Sequence, residues 1–177
     1  MAALAFDQRG HGDSQGPMDG GALLDVAAMC ALVRERSGTP RLALRGSSMG
    51  GYLALTAAHL VDPGAVVAIC PASAAGLARG LRDDRFDFAA DVPALTTLID
   101  DHDAGEAAAR LGDRLLLLHA EGDETVPVEH SRELHRLAEG SKLVVLPGGH
   151  HRSVQHDPEA QAYAMRFVNR ALRRGRD

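Results

Sequence analysis

The sequence predicts an α/β domain, a mostly parallel sheet with helices on both faces. Three observations carry this. Short apolar runs at residues 42–44, 65–70, 115–118 and 143–146 alternate with longer segments of helical character. Two of the runs, Ala65-Val66-Val67-Ala68-Ile69-Cys70 and Leu115-Leu116-Leu117-Leu118, are continuous, as strands covered on both faces are. Glycine-marked polar loops follow three of the runs, where such sheets bind ligands.

Ala2, Leu4, Ala5 and Phe6 read as a short buried strand running into the loop Asp7-Gln8-Arg9-Gly10-His11-Gly12-Asp13-Ser14. Asp19 can cap a helix over residues 20–36, with Ala22, Val26, Cys30 and Val33 on one face, ended by Gly38-Thr39-Pro40. A strand at 42–44 precedes Gly46-Ser47-Ser48-Met49-Gly50, and a small-residue helix follows. Strand, G-x-S-x-G, helix is the setting in which this motif forms a nucleophile elbow. A turn that tight brings the residues on either side of the serine together, and glycine at 46 and 50 would remove colliding Cβ atoms. Phosphate binding and plain packing are the bland alternatives for an isolated motif of this kind.

Asp62-Pro63-Gly64 turns the chain into the strand at 65–70. Residues 73–113 are acidic, lack strand patterning and read as a mostly helical insertion; the acidic run at 83–103 reads as a solvated face. After the strand at 115–118, residues 128–139 form an amphipathic helix with Leu134 and Leu137 inward. The last strand, at 143–146, leads to a closing helix over 158–173 with Ala164, Phe167, Val168 and Leu172 on one face.

Bulk properties narrow the function. A length of 177 residues with 45% hydrophobic and 24% charged content fits one soluble domain, spanning residues 1–177, and 3% aromatics means a core of Ala, Leu and Val. A net charge of −5 argues against nucleic-acid and anionic-membrane partners, and Arg170, Arg173, Arg174 and Arg176 read as a solvated helix end. No apolar run has transmembrane length, and residues 1–6 are too short for a signal peptide, so the expected location is cytoplasmic. Cys30 and Cys70 lie in apolar segments and read as buried, reduced thiols. Oligomeric state is not legible.

Three of the four strand ends present Ser48, Asp123 and a histidine, His150 or His151, in an order known for this elbow. A serine hydroxyl needs a base to take its proton, and a carboxylate holds that imidazole in the right tautomer. Taken singly, Asp123 could be a turn residue and the histidines exposed loop residues. A metal site using His150, His151, His156 and Asp157 is disfavoured, because adjacent histidines do not converge and no second ligand cluster is evident.

Four stretches together resemble the α/β-hydrolases of the esterase, acyl-peptidase and dienelactone-hydrolase-like kind. Residues 7–14 resemble that family's D-x-R-G-x-G-x-S loop, and 45–51 its elbow. Residues 119–127 resemble its H-G-x-x-D-x-x-V-P loop, with Ala120 in place of glycine, and Pro147-Gly148-Gly149-His150-His151 its G-x-H loop. The resemblance implies an α/β-hydrolase fold with residues 73–113 as a short helical cap. It implies Ser48 as nucleophile, Asp123 as acid and, by aligning Gly148-Gly149 with the family's two small residues, His151 as base with His150 the runner-up. The Met49 N–H becomes an oxyanion-hole donor, a small acyl compound the substrate, and no cofactor or metal is implied. The resemblance also implies an N-terminally shortened sheet. The family's third strand, whose following loop supplies the other oxyanion donor, has no counterpart. A misplaced start and a naturally short, weakly active or non-catalytic binding form are both compatible with that, and acyl transfer on the same residues is a further alternative.

Overall fold

The computed structural model describes residues 2–173, so Met1, Arg174 and Arg176 lie outside the described residues. Four strands form one parallel sheet in the order β1-β2-β3-β4: β1 Ala43–Ser47, β2 Ala65–Ile69, β3 Leu115–Ala120 and β4 Lys142–Leu146. Strand order equals chain order, so each crossover lands on the neighbouring strand. The register is unbroken: Ser47 lies beside Ile69, Ile69 beside Leu118, and Leu118 beside Val144. All four carboxyl ends therefore share one rim.

The continuous apolar runs behave as two-sided strands. Val66, Ala68, Leu115 and Leu117 enter one core, and Val67, Ile69, Leu116 and Leu118 enter the other, as the two-residue period of a strand requires. The first core packs against α1 (Ala22–Ser37), α2 (Met49–Thr56), α3 (Ala58–Val61), α4 (Ala74–Arg82), α5 (Val92–Asp101), α6 (Ala104–Leu111) and α7 (Val128–Leu137). The second is closed by α8 (Pro158–Arg173), through Ala160, Ala164 and Val168. Helices thus cover both faces. None of the described helices is long and apolar enough to cross a membrane.

Several expectations are corrected. Residues 2–6 form no strand, and Leu4 and Phe6 are exposed. An apolar composition makes a buried strand only where a neighbour supplies ladder partners, and among the described residues nothing pairs with the outer edge of β1. The first helix begins at Ala22, after Gly21, and has no side-chain cap. Asp19 instead accepts from Gly21 N–H at 2.7 Å and pairs with Arg9. Leu137, at the end of α7, is 47% exposed; Val128, Ser131 and Leu134 carry the inward face. Within the acidic stretch, Asp91 and Asp103 are not merely solvated, since each caps a helix by accepting an N–H from α5 or α6.

The loop at 7–14 is tied down from within. Arg9 makes a two-point contact with Asp25 at 2.6 and 2.8 Å, and Ser14 Oγ donates to Asp7 O at 2.7 Å. Met18, buried just beyond, exchanges backbone hydrogen bonds with Ala89 and Asp91. This fastens the segment between α4 and α5 to the body of the domain.

Candidate active site

Ser48 stands between the last residue of β1 and the first of α2, with φ 54° and ψ −121°. Such a backbone is strained for any residue but glycine, and surroundings must hold it. Here they do. Ser48 N–H donates to Ile69 O at 2.9 Å, while Ser48 O accepts from Gly51, Tyr52 and Ala72 N–H groups at 2.9, 3.1 and 3.0 Å.

The steric argument for the two glycines holds at one of them. A Cβ on Gly46 would sit 1.9 Å from Gly50 O, so only glycine fits there. A Cβ on Gly50 would meet open space, which corrects the expectation of a collision at both positions. Met49 is the first residue of α2, so its N–H is among the donors that the helix itself cannot satisfy.

Asp123 follows β3 with its side chain fully buried. One carboxylate oxygen accepts from Thr125 and Val126 N–H, both at 2.9 Å. The other lies 2.7 Å from His151 Nδ1. Burial pushes this carboxyl up, but the Val126 N–H, the His151 ring and the Thr125 N–H outweigh it and hold the group below its ordinary range. Because Asp123 is an anion that only accepts, His151 carries its proton on Nδ1 and leaves Nε2 free as an acceptor.

His151 is placed by backbone packing between two loops. Gly122 N–H donates to Gly148 O at 3.1 Å, and a Cβ on Gly122 would lie 2.5 Å from Gly149 O. The loop after β3 and the loop after β4 therefore touch main chain to main chain, which carries His151 to Asp123. His150 is exposed, and Arg152 N–H donates to its Nδ1 at 3.3 Å; among the described residues it forms no hydrogen bond or ion pair with Asp123. Among the described residues Ser48 Oγ and the His151 ring form no hydrogen bond with each other; Ser48 is positioned on the same rim, one register step beyond β1.

Two residues near Asp123 were given no role by the sequence reading. Cys70 directly follows β2, fully buried, and its thiol lies against the Asp123 carboxylate. Burial first, and that carboxylate second, push it up to about 12 despite a backbone hydrogen bond that lowers it, so it is a neutral thiol at pH 7. His119, the last but one residue of β3, is also fully buried. A donor atom from each of Cys70, His119 and Asp123 falls within one 4.8 Å cluster. As a metal site the cluster fits poorly. The thiol would have to ionise against a carboxylate, His119 already holds partners on both ring nitrogens, and Asp123 would have to leave His151.

Beside Met49, a small void is lined by Met18, Tyr52, Leu77, Phe86, Leu95 and Leu98, with Met49 itself. The Tyr52 hydroxyl is turned out of the apolar surface and donates to His102 O at 2.6 Å.

Comparison with known proteins adds the following. A family model for the alpha/beta hydrolase fold matches residues 3–92. The uncharacterized protein YfhR of Escherichia coli O157:H7 is 32% identical over 174 residues, covering 93% of this chain. The chain spans 58% of that relative's length. Among solved structures, an a/b serine hydrolase without lid from Xanthomonas campestris superposes with a TM-score of 0.65 at 23% identity, over 94% of this chain and 65% of that one. An esterase of Pyrococcus furiosus superposes with a TM-score of 0.71 at 21% identity, over 95% of this chain and 69% of its own. At these identities the superpositions show the fold.

Proposed function

The chain belongs to the alpha/beta hydrolase fold family, and on that premise we propose that it is a serine hydrolase cleaving an ester or related acyl bond of a small molecule. The observation that carries the reading is the 2.7 Å contact between His151 Nδ1 and a buried Asp123 carboxylate, on the rim where Ser48 occupies a strained strand-to-helix turn. Esterases and serine hydrolases among the solved structures of the same fold support it.

In this mechanism Ser48 Oγ attacks the acyl carbonyl. His151 Nε2 takes the hydroxyl proton and then delivers it to the leaving oxygen. Asp123 fixes the tautomer and stabilises the imidazolium. The Met49 N–H donates to the oxyanion, and removing such a donor typically costs ~10²–10³ in rate. Water, activated by His151, then releases the acyl group from Ser48. The hydrogen bond between Ser48 and His151 closes with substrate bound; contacts of this kind are often long in ligand-free enzymes. Residues 73–113 act as the cap.

The test is hydrolysis of p-nitrophenyl acetate, butyrate and octanoate by the wild-type chain and by Ser48→Ala. Turnover of the shorter esters, lost in Ser48→Ala, supports the reading. Equal turnover by the two proteins rejects it. Acyl transfer on the same residues would appear as ester formation when an alcohol is added.

A further inference from the structure

His119 lies at the centre of a buried chain that the proposed reaction does not use. Its Nδ1 is 2.7 Å from Ser131 Oγ, and its Nε2 is 2.9 Å from Val126 O and 3.4 Å from Asp123 Oδ2. His119 and Ser131 are both wholly buried. The carbonyl of Val126 can only accept, so Nε2 bears the proton and Nδ1 accepts from the Ser131 hydroxyl. Nε2–H is thus donated to Val126 O, and it lies beside the carboxylate oxygen that also meets His151.

The same Val126 donates its N–H to the other carboxylate oxygen at 2.9 Å. The loop is therefore closed around Asp123 from two sides, one through Val126 and one through His119. We propose that His119 is a positioning residue, and that the chain Ser131–His119–Val126–Asp123 holds the carboxylate against His151, with the nearby Nε2–H offsetting part of its charge. This rests on the serine-hydrolase reading above.

Asp123, His151 and Glu129 face His119, with His130 and Cys70 completing its surroundings. Burial keeps the His119 ring neutral, its basicity lowered despite the Val126 carbonyl and Asp123. A neutral ring with its N–H beside the carboxylate offsets part of that charge without competing for it as a full cation. Loss of that donor leaves more charge on the oxygen facing His151. The imidazolium is then better stabilised, so the acid limb of kcat/KM moves to higher pH, while a less firmly held carboxylate lowers kcat.

The experiment compares His119→Leu, which removes the donor, with His119→Gln, whose amide N–H can take the place of Nε2–H. Steady-state kinetics on p-nitrophenyl acetate are run across pH, with thermal midpoints as a control for folding. His119→Leu should lose about tenfold in kcat with KM unchanged, on the scale of one buried hydrogen bond. Its acid limb should rise by about half a pH unit. His119→Gln should recover most of the kcat and return the limb. A folded His119→Leu with wild-type kcat and an unmoved limb overturns the proposal, as does a loss of thermal stability alone. If His119→Leu does not fold, Ser131→Ala carries the test. It should shift the limb in the same direction by less, and an unmoved profile there overturns the proposal too. Ser48→Ala separates this from the parent reading: if it is inactive while the His119 and Ser131 variants behave as wild type, only the role of His119 is lost.

Discussion

Replacing Asp123 by Asn is the sharpest perturbation the site allows, because it changes charge and hydrogen-bond direction at nearly constant volume. The carboxylate oxygen held by Thr125 and Val126 N–H at 2.9 Å can become the amide oxygen and keep both bonds. The amide nitrogen then falls on the side of His151, 2.7 Å from Nδ1 in the native chain. A donor there forces Nδ1 to accept, so the proton moves to Nε2, and His151 can no longer take the Ser48 proton. The expected loss is about 10⁴-fold in kcat, or roughly 5 kcal/mol of transition-state stabilisation. KM should change little, since no bound group is removed. The assay is p-nitrophenyl acetate hydrolysis with the residual rate followed to pH 10, alongside a thermal melt to show that the protein is folded. A folded Asp123→Asn protein within tenfold of wild type refutes the tautomer argument, and with it the role of His151.

Further outcomes follow from the same geometry. His151→Ala should lose about 10³-fold or more in kcat, while His150→Ala stays within a few-fold, measured on the same ester; the reverse order would move the base to His150. Gly46→Ala places a Cβ 1.9 Å from Gly50 O, so it should abolish turnover and cost at least about 3 kcal/mol by denaturant melting; Gly50→Ala, which meets open space, should fold and melt near wild type. His119 and His130 are both held below their ordinary range, mainly by burial. Below about pH 6.5 the unfolded chain therefore binds protons that the folded chain does not, and stability falls as pH drops. Thermal midpoints should decline from ~pH 8 to ~pH 5.5, less steeply in His130→Leu; equal slopes in the two proteins would contradict this.

Much of this arrangement was legible in the sequence, for reasons that can be named. Continuous apolar runs over β2 and β3 could only be two-sided strands, and the split of alternate side chains into two cores bears that out. Loops after β1, β3 and β4 had to share a rim once the strands were parallel. Residues 2–6 misled because composition records apolarity, not the presence of a neighbouring strand. Leu137 misled because a helical stripe does not reveal where the partner surface stops. The preference for His151 over His150 came from aligning Gly148-Gly149 with the family's small residues; what the pattern did not show is that Gly122 meets Gly148 and Gly149 across two loops to bring His151 to Asp123. His119 opens the H-G-x-x-D-x-x-V-P resemblance, but at the end of a tetraleucine run nothing in the pattern gives it a role. Its signal, a histidine four residues before the aspartate, acquires meaning only when the loop folds back to bring Val126 over the ring.

The central claim is that Ser48 is the nucleophile of a covalent mechanism, and the most direct measurement is intact-mass and peptide mapping after reaction with a fluorophosphonate. A single adduct on Ser48, slowed in Asp123→Asn and absent in Ser48→Ala, is the result this account requires. An unmodified protein, or an adduct carried on another residue, would contradict it.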